Sequence, residues 1–352
     1  MIDWTMPMKQ EFKYYLVDPF SWKDIKPIDT VKSSDISRDS GADTLGSATF
    51  DMDLDIGEAY IRTYLLASQN GEFEKIPLGT HIIQTPSLSH DGAKKTISMD
   101  AYTPLLELTE NQPPIGYYIP KGDNVLEHAC RLLREHCRCP IVETKSTKTL
   151  FRDFVSDGNE SWLEYISDLV EKASYNIGLD ELGRIIFEPK QLIKSMQPRY
   201  TFDTGNSSIL YNDISVTRDL YKIPNVVEVV YSSNTDYIQH RVINDDPNSP
   251  TSIQARGREI TKRIINPDDL GNATKAQIIE YAENALKALS TLEYTVTYKH
   301  GYCPVRVGDC VRINHPYSDL DNIKAIIVAQ SISCEPGCPV SETAKFTREL
   351  WG

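Results

Sequence analysis

Residues Ser34 to Ser87 read SDISRDSGADTLGSATFDMDLDIGEAYIRTYLLASQNGEFEKIPLGTHIIQTPS, and the reading of this stretch decides the fold. Phe50, Met52, Leu54 and Ile56 alternate with Asp51, Asp53 and Asp55. Successive side chains on a strand point to opposite faces, so the alternation predicts a strand from Phe50 to Ile56 with one buried face and one acidic, wet face. Further on, Gly71-Glu-Phe breaks the chain, and Ile76-Pro-Leu-Gly-Thr-His-Ile-Ile brings back a β-rich apolar run.

Outward from this stretch, residues 1–117 read as β-rich. Lys95-Thr-Ile-Ser-Met-Asp-Ala-Tyr alternates again, and the paired prolines of Asn111-Gln-Pro-Pro-Ile-Gly break the block, because proline neither donates to a ladder nor continues a helix. Character changes at Gly122. Val125, Leu126, Ala129, Leu132, Leu133 and His136 share a helical face, which predicts a helix from about Asn124 to Cys137. A second helix starts near Ser161, with Asn159 or Ser161 as its N-cap and Trp162, Ile166, Leu169 and Ala173 on its apolar face. Tyr175-Asn-Ile-Gly-Leu, the turn Asp180-Glu-Leu-Gly and Arg184-Ile-Ile-Phe-Glu then predict a hairpin. From Phe202 the chain is β-rich again, with strands at Ile214–Arg218 and Val226–Tyr231 and a loop at Asp245–Ser252. A third helix opens on the capping-box spacing of Thr274 and Gln277, and strands resume at Leu292. A faint internal echo links Ile76-Pro-Leu-Gly79 to Val305-Arg-Val-Gly308, each introducing strands.

Bulk composition narrows the function classes. At 352 residues the chain is too long for one ordinary core. No run approaches the ~20 apolar residues of a membrane span, and MIDWTMPMKQEFKYY carries no signal pattern, so folding in the cytoplasm is expected. A net charge of -13 with scattered Lys and Arg argues against a general or sequence-specific nucleic-acid binder. Seven cysteines in such a chain are read as reduced, partly buried thiols.

The order of the opening stretch, from serine-rich turn through acidic strand and charged turn to "PLGT" and "TPS", resembles the first domain of the tail hub proteins of tailed phages and contractile injection machines. Three further segments are similar to that family: GNESWLEYISDLVEKASYNIGLDELGRIIFEP, GREITKRIINPDDLGNATKAQIIEYAENAL, and Cys303-Pro-Val-Arg-Val-Gly-Asp-Cys-Val-Arg-Ile. The resemblance implies an α+β fold of two tail-tube-like antiparallel β-barrel domains with α+β insertions. Residues 1–117 would be the first barrel, 118–200 an insertion of two helices and a hairpin, 201–242 with 292–352 the second barrel, and 243–291 a helical insertion. It further implies a homotrimer in the virion's tail tip or baseplate, assembled in the host cytoplasm. Such a hub joins a six-fold tail tube or distal tail protein to a spike or fibre, with a tape measure protein as neighbour. The chain stops at Gly352 just after its last strand, so the spike or fibre is expected to be a separate chain.

Each chemical candidate has a plainer reading. His128, Cys130, His136, Cys137 and Cys139 cluster, but a zinc site needs four convergent ligands, and the predicted helix aims His128 and Cys130 away from Cys139. Cys303, Cys310, Cys334 and Cys338 lack the C-x2-C spacing, and a disulfide or metal site stays open for them. Asp51 to Gly57 is not a calcium loop, because the glycine is one place late and Arg62 stands where the bidentate Glu belongs. Asp268-Asp269-Leu-Gly reads as a turn. With no G-x-S-x-G, H-E-x-x-H or phosphate loop, the expectation is a non-enzyme with no catalytic residue, metal or cofactor. The rival is a carbohydrate-binding or glycan-degrading tail-tip protein, whose platforms would come from nineteen tyrosines and four tryptophans.

Overall fold

Asn70 and Gly71 form the first tight turn of the computed structural model, which describes residues 2–349 except 93, 219, 221–222, 233–236 and 268–273. Their φ angles of 51° and 85° are both positive, the two-residue geometry that matches strand twist and favours Asn-Gly. This turn joins two of seven opening strands: β1 (Lys9–Val17), β2 (Asp24–Pro27), β3 (Val31–Asp39), β4 (Gly46–Met52), β5 (Tyr60–Gln69), β6 (Glu72–Asp91) and β7 (Lys94–Tyr102). They run in the order β3-β4-β7-β6-β5-β1-β2, each neighbour antiparallel. Ala48, Phe50 and Met52 point into a core with Ile36, Ile61, Leu65, Leu78 and Met99. The alternating strand is shorter than its sequence predicts: it ends at Met52, and Leu54 is exposed. The ladder explains this. β3 begins at Val31, opposite Met52, and Asp53 has only a 3.3 Å hydrogen bond to the Thr30 carbonyl before the chain turns away.

The chain next forms α1 (Leu106–Thr109), β8 (Tyr118–Ile119), α2 (Val125–His136), β9 (Phe154–Val155), α3 (Trp162–Glu171), β10 (Tyr175–Leu179) and β11 (Ile185–Pro189). Asn124 caps α2, and a Ser161/Glu164 capping box opens α3, satisfying amides that have no partner inside the helix. The apolar faces of α2 and α3 meet β10 and β11 over a core that includes Leu126, Leu133, Trp162, Ile166, Leu169 and Phe187. Val17, Trp22, Tyr60 and Ile82 from the opening strands belong to the same core, so the insertion shares buried surface with the first sheet.

Beyond β12 (Tyr200–Phe202) and β13 (Leu210–Arg218) the chain enters β14 (Val226–Ser232), β15 (Tyr237–Ile243), α4 (Ile253–Arg256), β16 (Thr261–Ile265) and α5 (Lys275–Leu289). It then forms β17 (Thr291–Gly301), β18 (Cys310–His315), β19 (Leu320–Ser333) and β20 (Pro339–Glu349). Two compact units result, Met1–Ile214 with Tyr298–Thr343, and Ser215–Thr297 with Ala344–Gly352. In the second, β14 lies between β15 and β16, and Val227, Val229 and Tyr231 pack on Ile278, Ala282 and Leu286 of α5, which opens on a Thr274/Gln277 capping box. Glu228 on the opposite face accepts from Arg263 at 2.6 Å.

In the first unit β19 pairs antiparallel with β3, from Ala329↔Asp39 to Ser333↔Asp35. The early and late β-rich blocks therefore share one sheet. Ile332, Cys334, Cys338 and Val340 enter the core of Phe50 and Met52. The fold is mostly antiparallel β with a few helices. Two closed barrels do not emerge: among the described residues the strand path of this sheet is open, and β2 is an end that pairs only with β1.

Trp162 is 4% exposed and stacks on His136 at 4.2 Å between ring centroids. Trp162→Ala is expected to cost ~3–5 kcal/mol. Thermal melting of the full chain checks this, and a melting temperature unchanged from wild type would contradict the core assignment.

Candidate functional site: a docked hairpin and its cleft

The hairpin of β10 and β11 turns on Asp180-Glu-Leu-Gly, and the aspartate organises the turn. Its Oδ1 accepts from the Leu182 and Arg184 amides at 3.0 and 2.8 Å, and its Oδ2 from Arg184 Nε at 2.6 Å. Gly183 holds a φ of +72°, and a Cβ there would lie 2.7 Å from Thr80 Cβ. Only glycine allows so close an approach. The tip is thereby pressed against the first sheet, and the Leu182 carbonyl accepts from Trp22 Nε1 at 2.7 Å and Arg62 at 3.1 Å.

Arg62 is the anchor. Its side chain is 5% exposed, and it donates to Thr80 Oγ1 at 2.9 Å, to the Trp22 carbonyl, and to Asp24 at 2.8 Å. Such a guanidinium is stable in the interior because its donors are met and its charge is paired. Trp22 itself has a φ of 57°, uncommon for a bulky residue, and this conformation accompanies the indole's reach to the hairpin. The left-handed backbone is held by the Trp22 amide donating to the Asp18 carbonyl at 2.8 Å.

Beside the tip lies a cleft of about 490 Å³ bounded by the hairpin, β3, β6 and residues 306–308 and 326–328. Gly79 and Gly308, the two ends of the sequence echo, both line it. Glu181 at the tip sits 3.6 Å from Arg38 and 4.0 Å from Arg306, and Arg306 also pairs with Glu188 at 3.1 Å. Burial raises the pKa of Glu188, with Arg306 opposing that shift. His81 is buried at the cleft wall, with Nδ1 lacking a hydrogen-bond partner. Burial and the neighbouring Arg38 push its pKa down to about 3. Behind Arg38 runs a buried polar chain. Arg38 donates to Gln330 at 3.0 Å, and Gln330 donates to Glu342, a fully buried carboxylate. Tyr298 donates to the same carboxylate at 2.6 Å, and His300 Nε2 lies 3.3 Å from it. The arrangement is a set of ion pairs and hydrogen bonds that locks elements together.

The cysteine and histidine candidates do not converge on a metal. His128 faces Asp123 and Arg131, at 3.2 and 2.7 Å, and His136 stacks on Trp162. Cys303, Cys310, Cys334 and Cys338 are buried and free, and no group of three or more His, Cys, Asp or Glu among the described residues could hold a metal ion. Burial pushes the Cys334 thiol up to about 12. Asp51 accepts from Ser33 at 2.8 Å and Asp53 pairs with Lys32, so these carboxylates tie the end of β4 to β3. Asp268 and Asp269 lie outside the described residues. Sequence reasoning did not single out Arg62, Trp22 or Glu342. The only available signal was a charged residue on the buried face of an apolar strand, Arg62 in YIRTYLL and Glu342 in VSETAKF. No helix among the described residues is long and apolar enough to cross a membrane. An exposed apolar surface forms where Tyr118 of β8 pairs with Val155 of β9, near Phe151, which is 90% exposed.

The whole chain aligns with solved phage structures. A tail protein from Neisseria meningitidis MC58 superposes with a TM-score of 0.66 over 97% of this chain and 98% of that one, at 12% identity. The chain has the fold of phage tail proteins. The 43 kDa tail protein of prophage MuSo2 from Shewanella oneidensis gives 0.64 over 96% and 98%, also at 12% identity. A chain of the Francisella PdpA–VgrG complex gives 0.56 at 9% identity, with 98% of this chain matching 53% of that one. No protein-family model matches the sequence, and no curated protein matches it.

Two outcomes test the site. Arg62→Met removes the guanidinium that joins Asp24 to the Leu182 carbonyl; Asp24 keeps Tyr64 and Lys75 and the carbonyl keeps Trp22, so the cost is expected at about 1–3 kcal/mol. Hydrogen exchange in residues 175–189 should accelerate more than in α2, and equal acceleration everywhere would show that Arg62 does not anchor the tip. His81 supplies a pH test. Its folded pKa of about 3 lies below the ordinary histidine value of 6.5, so only the unfolded chain binds the proton between them. Its contribution to stability is therefore lost as pH falls from about 6.5 towards about 3. His81→Gln should flatten the fall of the urea midpoint across that window, and an unchanged slope would refute the assignment.

Proposed function

We propose that the chain is the structural hub of a phage tail tip or baseplate, a homotrimeric adaptor joining a six-fold tail tube to a three-fold spike or fibre. The observation that carries this reading is the end-to-end agreement with the Neisseria tail protein, over 97% of this chain and 98% of that one. The likeness to a chain of the PdpA–VgrG complex supports an architecture common to phage tails and related injection machines. In this reading residues 1–117, and 201–242 with 292–352, are two related tube-like blocks, with 118–200 and 243–291 as insertions. Three subunits then offer six blocks to a hexameric ring, which reconciles the two symmetries.

The open sheet gives the reading a physical basis. β2 pairs with β1 only over Tyr15–Val17, and an uncovered strand edge is a ready template for a neighbouring chain. Barrel closure is assigned to the assembled ring, where such edges meet partners. The partners are the tail tube or distal tail protein, the spike or fibre, and a tape measure protein. The work is done by surfaces, without catalysis, in the virion after assembly in the host cytoplasm. The competing carbohydrate-binding or glycan-degrading role gains no support from Trp22 and Trp162, whose rings are buried in a core.

Imaging of the assembled particle is the deciding experiment. Three copies at the end of the tube, with the two blocks of each superposing, are expected. Copies related by any other symmetry, or blocks of unrelated fold, would show the hub reading to be wrong.

A further inference from the structure

Cys137 ends α2 as its C-cap, with an extended backbone at φ -139° and ψ 140°, and Cys139 follows one exposed arginine later. Their Sγ atoms stand 3.0 Å apart, and the Cys137 thiol also donates to the Pro104 carbonyl at 3.6 Å. A disulfide bond is ~2.05 Å long, so closure requires a movement of about 1 Å. His128 and His136 are engaged elsewhere, by Asp123, Arg131 and Trp162, and no third His, Cys, Asp or Glu among the described residues joins the two thiols in a metal-holding group. What remains of the candidate metal cluster is an isolated pair of touching thiols.

We propose that Cys137 and Cys139 form a redox-active dithiol site, closed to a disulfide within one subunit by a small-molecule disulfide. This inference is independent of the hub reading. Both thiols are buried, Cys139 the deeper at 4% exposed against 8% for Cys137, so Cys137 is the first attacking sulfur, and the hydrogen bond with Cys137 and burial hold the Cys139 thiol well above its ordinary pKa. The Cys137 thiolate attacks one sulfur of the oxidant, forming a mixed disulfide and releasing one small thiol. Cys139 then gives up its proton and attacks the Cys137 sulfur, expelling the second small thiol. Two protein thiols are oxidised, and the oxidant is reduced to two thiols that carry away both protons.

The bond would fix the exit of α2 where it supports the docked hairpin. One residue on, the Pro140 carbonyl accepts from the Ile185 amide at 2.8 Å, and the Val142 amide donates back to the Ile185 carbonyl at 2.8 Å. A bond closing so short a loop is strained and hence easily reduced, the character of a labile rather than a permanent disulfide.

The test treats the reduced, folded full chain with excess 2-hydroxyethyl disulfide, then denatures, alkylates remaining thiols, digests and maps by mass. The expected product joins Cys137 to Cys139, with two of the seven thiols lost and a rate that rises with pH. Cys139→Ser should stop at a mixed disulfide on Cys137; if that variant does not fold, the wild-type map decides. A stable mixed disulfide on wild-type Cys137, a link between other cysteines only, or seven thiols left free would overturn the proposal.

Discussion

The pairing of β3 with β19 is the constraint on which the rest of the first unit depends. It joins Asp35–Asp39 to residues 329–333 in antiparallel register. Side chains reinforce it: Ser333 donates to Asp35 at 2.5 Å, and Arg38 donates to Gln330 at 3.0 Å. A slip of one residue would turn Ile36 and Ile332, both 1% exposed, out of the core. It would also part Arg38 from Gln330, and Gln330 from Glu342, leaving a buried carboxylate short of a donor. The register is thus fixed twice on one face, by Ile36 against Ile332 and, two residues along each strand, by Arg38 against Gln330.

The hairpin tip adds a third segment to this junction. Glu181 faces Arg38 from β3 and Arg306 from the late block, while the Leu182 carbonyl meets Trp22 and Arg62 from the early one. The insertion is therefore a brace across the seam. One glycine of the sequence echo allows it: Gly308 lies so near Glu188 that a Cβ would sit 3.1 Å from its Oε2.

Much of the local structure was legible because it is encoded locally. The helix from about Asn124 to Cys137, the N-cap at Ser161 (one of two candidates with Asn159), the capping box at Thr274 and Gln277, and the D-x-x-G hairpin follow from residues a few positions apart, and each occurs where the spacing put it. The acidic strand was half legible. Its alternation is real to Met52, but its end is set by where β3 begins, and that information lies twenty residues upstream. The seam was not legible at all, since ISRD and QSIS carry no mutual signal. The site was less visible still: Arg62 and Glu342 read as breaks in an alternating pattern until their partners, distant in the chain, are brought beside them.

The seam also sets a timetable for synthesis. The core built on Phe50 and Met52 includes Ile332, Cys334, Cys338 and Val340, so its last members leave the ribosome long after its first. At ~5–20 residues per second, the edge of β3 waits about 15–60 s for its partner. During that interval an unpaired strand beside a half-covered core is open to mispairing with other nascent copies. Sequence separation of this size also slows folding, because loop closure must precede any gain from the contact. Quality control is the corollary: a chain cut short before β19 lacks the strand that completes its first core, which leaves it exposed to proteolysis.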